Sequence, residues 1–304
     1  MSTDATRKTA GFFAPRPGLA ALEVSGPEAG LFLNDIVTAQ IQTLPEGRMR
    51  PACLLSPQGR ILFDMQILRL SETLFWLVTE SGQAPRLAAK LRLYRLRRPL
   101  VIEAVTPFSA AQIYHYETRP DNSQGVFAFA DQRQPGLGSL LVAQSGQLAC
   151  PPGFAEQEEA VWQGLRIAAG VPEGAADLTP DRALMLEAGL DHLGAVDFDK
   201  GCYIGQEVTA RTRWRGLVKR RIVPVRAAPD LPGQSPVLQA GKQVGQLLSC
   251  VATDSGWLGL ASLRLEAIEA AEAGQQLGLE DGQPLELAIP DWMRPLSGQK
   301  PPQK

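Results

Sequence analysis

The sequence predicts an α+β fold with antiparallel sheet, followed by a small all-β domain. Three observations carry this. Before Gly216, strand-like and helix-like segments follow one another in mixed order, without the regular strand-helix rhythm of a doubly wound sheet. Two apolar stretches, 51–55 and 61–70, flank Ser56-Pro57-Gln58-Gly59-Arg60, a strong hairpin signal. Beyond Gly216 the texture changes to short strands separated by Pro/Gly-rich turns.

Residues 19–25 alternate as a strand, and Gly26-Pro27-Glu28 opens a helix to about residue 35, with proline in its first turn. After the hairpin, 74–79 forms a third strand. From Ala84, the spacing of Leu87, Ala88 and Leu91 gives a helix with one apolar face. Past Pro99, strands are expected at 101–105, 112–116, 126–130 and 140–143. A second clear helix spans 156–169 and is closed by Gly170 and Pro172. The all-β part reads as strands at 219–225, 244–251 and 257–265, and the polar, proline-containing tail 297–304 reads as disordered. No internal repeat is visible.

Composition bounds the chemistry. The 304 residues carry a net charge of -2, with 44% apolar and 20% charged residues, the profile of an ordinary globular protein. No apolar run reaches the ~18 residues of a membrane span, and residues 1–11 lack a signal-peptide core, so a cytoplasmic protein without membrane contact is expected. The only histidines, His115 and His192, exclude a multi-histidine site, and no G-x-S-x-G stands near either. Cys53, Cys150, Cys202 and Cys250 are far apart and show no zinc spacing. In a reducing compartment they are free thiols, and three of them read as small buried hydrophobes.

The near-zero charge conceals two basic clusters, Arg86 to Arg98 and Arg211 to Arg221. Solvated faces explain them simply; arginine forks also suit carboxylates and phosphates, leaving an anionic ligand or an RNA backbone open.

Lys200-Gly201-Cys202-Tyr203-Ile204-Gly205-Gln206-Glu207 is the most informative stretch. Two glycines around a Cys-Tyr pair imply a tight turn presenting the thiol. Lys200 nearby, and a helix beginning at Gln206 and Glu207, would favour the thiolate. One thiolate cannot hold an iron–sulfur cluster that normally takes ~4 protein ligands, so any cluster bound by Cys202 would be shared with a partner or a second copy.

This octapeptide, with Ala210-Arg211 and Gly216 downstream, resembles the K-G-C-Y-x-G-Q-E signature of the YgfZ family, folate-binding proteins related to the aminomethyltransferase (T-protein) of the glycine cleavage system. Residues 22–38 resemble the family's opening strand and helix, 54–64 its hairpin, and 93–97 and 189–198 further family segments. The resemblance implies a three-part, aminomethyltransferase-like (GcvT-like) fold around a folate channel, closed by a C-terminal β-barrel. The expected division is 1–216 for the folate-binding region, split near residue 100, and 217–296 for the barrel.

The family residues transfer unevenly. Trp162 aligns with a tryptophan linked to folate in a bacterial relative; a core-facing tryptophan is the alternative. Ala168, in Arg166-Ile167-Ala168-Ala169-Gly170, stands where the transferases carry a pterin-binding glutamate, and Glu187 resembles a second acidic position that could substitute. Where transferases have two successive acidic residues after the hairpin turn, this chain has Phe63-Asp64, so Asp64 keeps half of the pair that manages the proton of aminomethyl transfer. Arg95, Arg97 and Arg211 are candidates for the tail carboxylates of a polyglutamylated folate.

The resemblance implies a tetrahydrofolate-binding accessory protein that supports iron–sulfur cluster assembly or repair, including clusters of tRNA-modifying enzymes. Cys202 would be the essential thiol, with Lys200 and Asp64 as companions, and the implied partners are iron–sulfur assembly proteins or cluster-containing enzymes. The alternatives are a folate-dependent one-carbon transferase, which Ala168 and Phe63 disfavour, and a non-catalytic RNA- or protein-binding module.

Overall fold

The structure, a computed structural model, describes residues 11–114, 125–146, 148–228, 233–253 and 256–296. His115, residue 116 at the end of one expected strand, and the tail 297–304 lie outside the described residues.

The first half builds two five-stranded sheets. In chain order, its elements are β1 (Phe12–Pro15), β2 (Leu19–Ser25), α1 (Ala29–Ile36), β3 (Arg48–Leu55), β4 (Ile61–Arg69), β5 (Leu74–Glu80), α2 (Ala84–Arg95), β6 (Val101–Ala104), β7 (Ser109–Ile113), β8 (Val126–Ala130), β9 (Ser139–Ala143) and β10 (Ala155–Glu156). One sheet has the order β3-β4-β5-β2-β6 and is antiparallel throughout; the other has the order β10-β1-β7-β9-β8, with β10 parallel to β1.

Alternation decides how these sheets pack. Along β4 the side chains of Ile61, Phe63, Met65 and Ile67 are buried while Leu62, Asp64 and Gln66 are half-buried. One face of the first sheet is covered by α1 and α2, through Phe32, Leu33, Leu87 and Leu91. The opposite face meets the second sheet through Met49, Leu68, Trp76, Phe129 and Leu140. Trp76 holds edge-on contacts with Phe108 and Phe127.

After β10 come α3 (Glu159–Ala168), the single turn α4 (Gly174–Asp177) and α5 (Gln206–Trp214), with an irregular run between α4 and α5. The remaining strands, β11 (Arg220–Ala227), β12 (Pro236–Gln239), β13 (Lys242–Thr253), β14 (Gly256–Arg264), β15 (Leu277–Gly278) and β16 (Pro284–Leu287), close a barrel in the order β11-β14-β13-β12-β15-β16. One helix, α6 (Leu265–Glu272), is inserted after β14. A central core of Leu55, Ile61, Trp162, Ile167, Met185, Tyr203, Ile222 and Leu260 binds hairpin, α3, the irregular run and barrel into one body.

Two expected elements are shifted. The helix expected from residue 156 begins at Glu159, because Glu158 is extended (φ -67°, ψ 154°) and Ala155–Glu156 pairs with β1. The strand expected at 112–116 starts earlier, at Ser109, where its backbone pairs with β9.

Candidate functional site

The Cys202 loop is fixed at both ends. On its N-terminal side, the Lys200 ammonium donates to three backbone carbonyls at the end of α1: Asn34 (2.5 Å), Val37 (2.7 Å) and Ala39 (2.8 Å). A helix C-terminus leaves such carbonyls without intrahelical donors and favours a cation beside them. Burial pushes Lys200 down to about 8, against the pull of Asp197 and Asp35. Asp197 turns the chain into the loop, its Oδ1 accepting from the N–H groups of Asp199 (2.9 Å) and Lys200 (3.1 Å). Thr38, fully buried, ties the same region to the hairpin by accepting from the Cys53 N–H (2.8 Å) and donating to the Ala195 carbonyl (2.6 Å).

On the C-terminal side, Gly205 caps α5 with φ +80°, and a Cβ there would stand 2.5 Å from the Ser56 carbonyl. The facing glycine of the hairpin turn, Gly59, has φ +74°, and its Cβ would meet Val208 at 2.9 Å. The two sequence motifs therefore pack glycine to glycine, closer than any larger residue allows. Gln206 accepts from the Tyr203 N–H (3.1 Å), and Tyr203 is buried beneath the loop with Lys200 Nζ 5.2 Å from its ring centre. Burial pushes the Tyr203 hydroxyl up to about 12, so it stays a neutral phenol.

Between these anchors Gly201 and Cys202 are exposed. No disulfide joins the four cysteines. Cys53 is buried, and burial, reinforced by Asp64, pushes its thiol well above the ordinary range. Cys150 and Cys250 are half-buried rather than buried, each packed at the edge of a hydrophobic cluster. Cys202 is thus the exposed thiol. The expectation that Lys200 supports its thiolate is corrected: the ammonium is committed to the α1 carbonyls and shapes the loop instead. Glu207 and Arg211 are exposed on α5. Among the described residues no group of three or more His, Cys, Asp or Glu is arranged to hold a metal ion.

A second constellation lies deeper. On β4, opposite Cys53, Asp64 accepts from the Gly174 N–H (3.0 Å). Burial pushes its carboxyl up to about 6, with Glu173 and Glu80 adding repulsion and the Gly174 bond opposing. Beside it runs a ladder of charges: Asp131 to Arg133 (2.6 Å), Arg133 to Glu173 (2.6 Å), Glu173 to Arg16, and Arg16 to Glu159 (2.9 Å). Burial alone would raise the Glu173 carboxyl, but Arg16, Arg133 and Arg166 hold it well below the usual range. The cavity lined by Asp64, Arg16, Asp131, Arg133 and Glu173 has a volume of ≈ 30 Å³, enough for about one water and far below the ~300–1,000 Å³ of small-molecule sites.

Trp162 lies under this ladder, with Arg16 and Arg133 over its ring at 5.4 and 5.9 Å. It is fully buried, its indole N–H lacks a partner, and it lines neither the Asp64 cavity nor that of Glu187, so the core alternative describes it. Glu187 stands at the seam with the barrel, in a cavity of ≈ 570 Å³ that also presents Arg182, Ile222, Gln246 and Ser262. Arg95 and Arg97 line a different groove beyond α2 and do not meet Glu187. Arg95 and Arg97 thus lie apart from the rest, whereas a further cavity of ≈ 570 Å³ shares Arg16, Glu80, Glu173 and Gly174 with the Asp64 cavity and Ala176 and Leu248 with that of Glu187, and so runs between the two.

Sequence reasoning missed Arg16, Asp131, Arg133 and Glu173, which are scattered along the chain and carry no spacing signal. It also missed Asp177, fully buried against Arg166 (2.6 Å), which accepts from the N–H groups of Glu173 and Ser249 (both 3.0 Å). The presence of Arg166 and the loss of a carboxylate at Ala168 were legible; the acid that answers Arg166 was not.

Residues 2–113 match the family model of the GCVT N-terminal domain, and residues 219–295 that of the CAF17 C-terminal beta-barrel domain. The chain is 32% identical over 302 residues to the human mitochondrial iron-sulfur cluster assembly factor IBA57, covering 90% of this chain and 83% of that protein. The mouse protein of the same name is 31% identical over 83% of this chain and 77% of its own length. Among solved structures, the glycine cleavage system aminomethyltransferase T from Bartonella henselae superimposes with a TM-score of 0.71 at 16% identity, over 91% of this chain and 85% of that one, a likeness of fold. The relatives are named as mitochondrial proteins, which overturns the cytoplasmic placement read from the first residues.

Proposed function

The chain belongs to the family of the iron-sulfur cluster assembly factor IBA57, and on that premise we propose that it serves iron–sulfur cluster assembly through Cys202, whose thiolate supplies one ligand to a cluster in transit. The observation that carries the reading is the contrast among the cysteines: Cys202 alone is exposed, and it stands on a loop held by the Lys200 clamp and the Gly59–Gly205 contact. A fixed loop presents the thiol without an ordering cost at each encounter. Since no group of three or more His, Cys, Asp or Glu is arranged to hold a metal ion among the described residues, the remaining ligands come from a partner protein, an assembly protein or a recipient enzyme, enzymes of tRNA modification among them. The cluster is cargo, and the protein is an accessory rather than a redox centre.

Tetrahydrofolate is proposed as a ligand of the seam cavity. Its ≈ 570 Å³ suits a pterin, the Glu187 carboxylate can accept from the ring N–H and amino groups, and Arg182 offers a cation for the tail. When bound, the folate supplies one-carbon carrier chemistry. This chain's own contribution is binding and orientation: Asp64, the remaining transferase-type carboxylate, lines a separate water-sized cavity rather than the seam cavity itself, and no transfer step is assigned to it.

Anaerobic reconstitution with iron and sulfide tests the thiol. The expected result is cluster absorbance only when a thiolate-bearing partner is present, lost in Cys202→Ser; undiminished absorbance in that variant defeats the assignment. Calorimetric titration with tetrahydrofolate tests the cavity, with binding expected to fall about tenfold in Glu187→Gln, the scale of one charge-assisted contact. No saturable binding to the wild-type protein removes folate from the account.

A further inference from the structure

The turn leaving α2 carries features that neither reading uses. Arg95, Leu96, Arg97 and Arg98 run into Pro99 and line, with Ser25 and Val101, an open groove of ≈ 520 Å³. Leu96 is held at φ 54°, ψ -115°, a conformation that favours glycine, and its side chain is 81% exposed. Leu93 and Val101 flank it, 65% and 45% exposed. The turn is braced by Gly26, whose Cβ would meet the Pro99 carbonyl at 2.6 Å.

The groove's polar groups are half-satisfied. Arg95 Nη1 donates to the Leu100 carbonyl (3.2 Å) and Arg98 Nη2 to Asp35 (2.7 Å), yet Arg95 Nε and Arg98 Nη1 are buried with no acceptor. Arg97 is exposed and makes no hydrogen bond or ion pair among the described residues. Those two nitrogens are closed to solvent, so the cations the groove offers to an outside acceptor are the exposed Arg97 and the exposed parts of the half-buried Arg95 and Arg98.

We infer that this groove docks an acidic segment of a partner protein, one that interleaves carboxylates with aliphatic side chains. The carboxylates pair with Arg97 and with the exposed parts of Arg95 and Arg98, while Leu96, projected by its constrained backbone, and Val101 pack against the apolar positions. Arginine is enriched in protein interfaces, and the exposed Leu96 and Val101 supply apolar area beside it. Single-stranded nucleic acid would call for aromatic platforms, and none lines the groove.

The test is fluorescence anisotropy with the full chain and a fluorescein-labelled peptide of alternating glutamate and leucine, beside a glutamate–serine peptide and a single-stranded RNA of matched charge. The glutamate–leucine peptide is expected to bind most tightly and to lose about tenfold in affinity in Arg97→Ala, the scale of one charge-assisted pair. Leu96→Gly is expected to weaken the peptide while leaving the melting temperature equal or higher, a combination that damage to the fold cannot produce. Equal binding of the two peptides, tighter binding of RNA, or affinities unmoved by both substitutions would overturn the inference.

Discussion

Replacing Asp64 by Asn should stabilise the protein, and the gain should depend on pH. Asp64 has its carboxyl raised from 3.8 to about 6 by burial, with Glu173 and Glu80 adding repulsion. A folded-state value above the unfolded one means that the folded protein holds the extra proton between these two values. Stability linked to Asp64 is then fully present below about pH 4 and is lost as pH rises through 6. At about 1.36 kcal/mol per unit, the ionised form at pH 7 costs about 3 kcal/mol, reduced to about 2–3 by the side chain's residual exposure. Asparagine keeps an oxygen for the Gly174 N–H and offers an amide to the neighbouring acids. Urea denaturation of both proteins should show Asp64→Asn more stable by about 2–3 kcal/mol at pH 7, by about half that at pH 5, and by little at pH 4. A variant no more stable than the wild type at pH 7, or a gain independent of pH, would refute the reasoning.

The loop anchors give further expectations. Lys200→Met should lose about 2–3 kcal/mol in denaturant unfolding, since three charge-assisted bonds to the α1 carbonyls vanish and leave acceptors without donors. Gly205→Ala should cost at least about 2 kcal/mol by the same assay, because the positive φ and the Ser56 carbonyl both oppose a Cβ. Asp177→Ala should cost about 3–5 kcal/mol and lower the melting temperature, as it strands the Arg166 guanidinium in the interior.

Much of the fold was legible, and the reasons are local. The strands at 19–25 and 126–130 are observed with those bounds, since alternation and turn residues set them. The hairpin at Ser56-Pro57-Gln58-Gly59 and the change of texture after Gly216 were equally readable, each resting on backbone chemistry within a few residues. The short barrel strands Leu277–Gly278 and Pro284–Leu287 gave too few residues for a period to show. The Cys202 motif was visible as a turn between glycines, but the reason for Gly205 lies across the fold in the hairpin. Lys200 illustrates the same limit: its neighbourhood in sequence suggested a thiol companion, whereas its partners are carbonyls more than a hundred residues away. The ladder of Arg16, Arg133 and Glu173 is wholly a product of tertiary packing, drawing on the residue after β1, the stretch after β8 and the residue before α4. Arg95 and Arg97 were legible as a basic cluster, yet which cavity they would line depended on how α2 sits on its sheet.

The central claim is that Cys202 is the working group of a cluster-assembly factor. Its most direct test is genetic replacement in cells depleted of the native protein, with the activity of a cluster-dependent enzyme as readout. Cells supplied with the wild-type chain should recover that activity, and cells supplied with Cys202→Ser, at equal protein level and melting temperature, should not. Full recovery with the serine variant would contradict the claim.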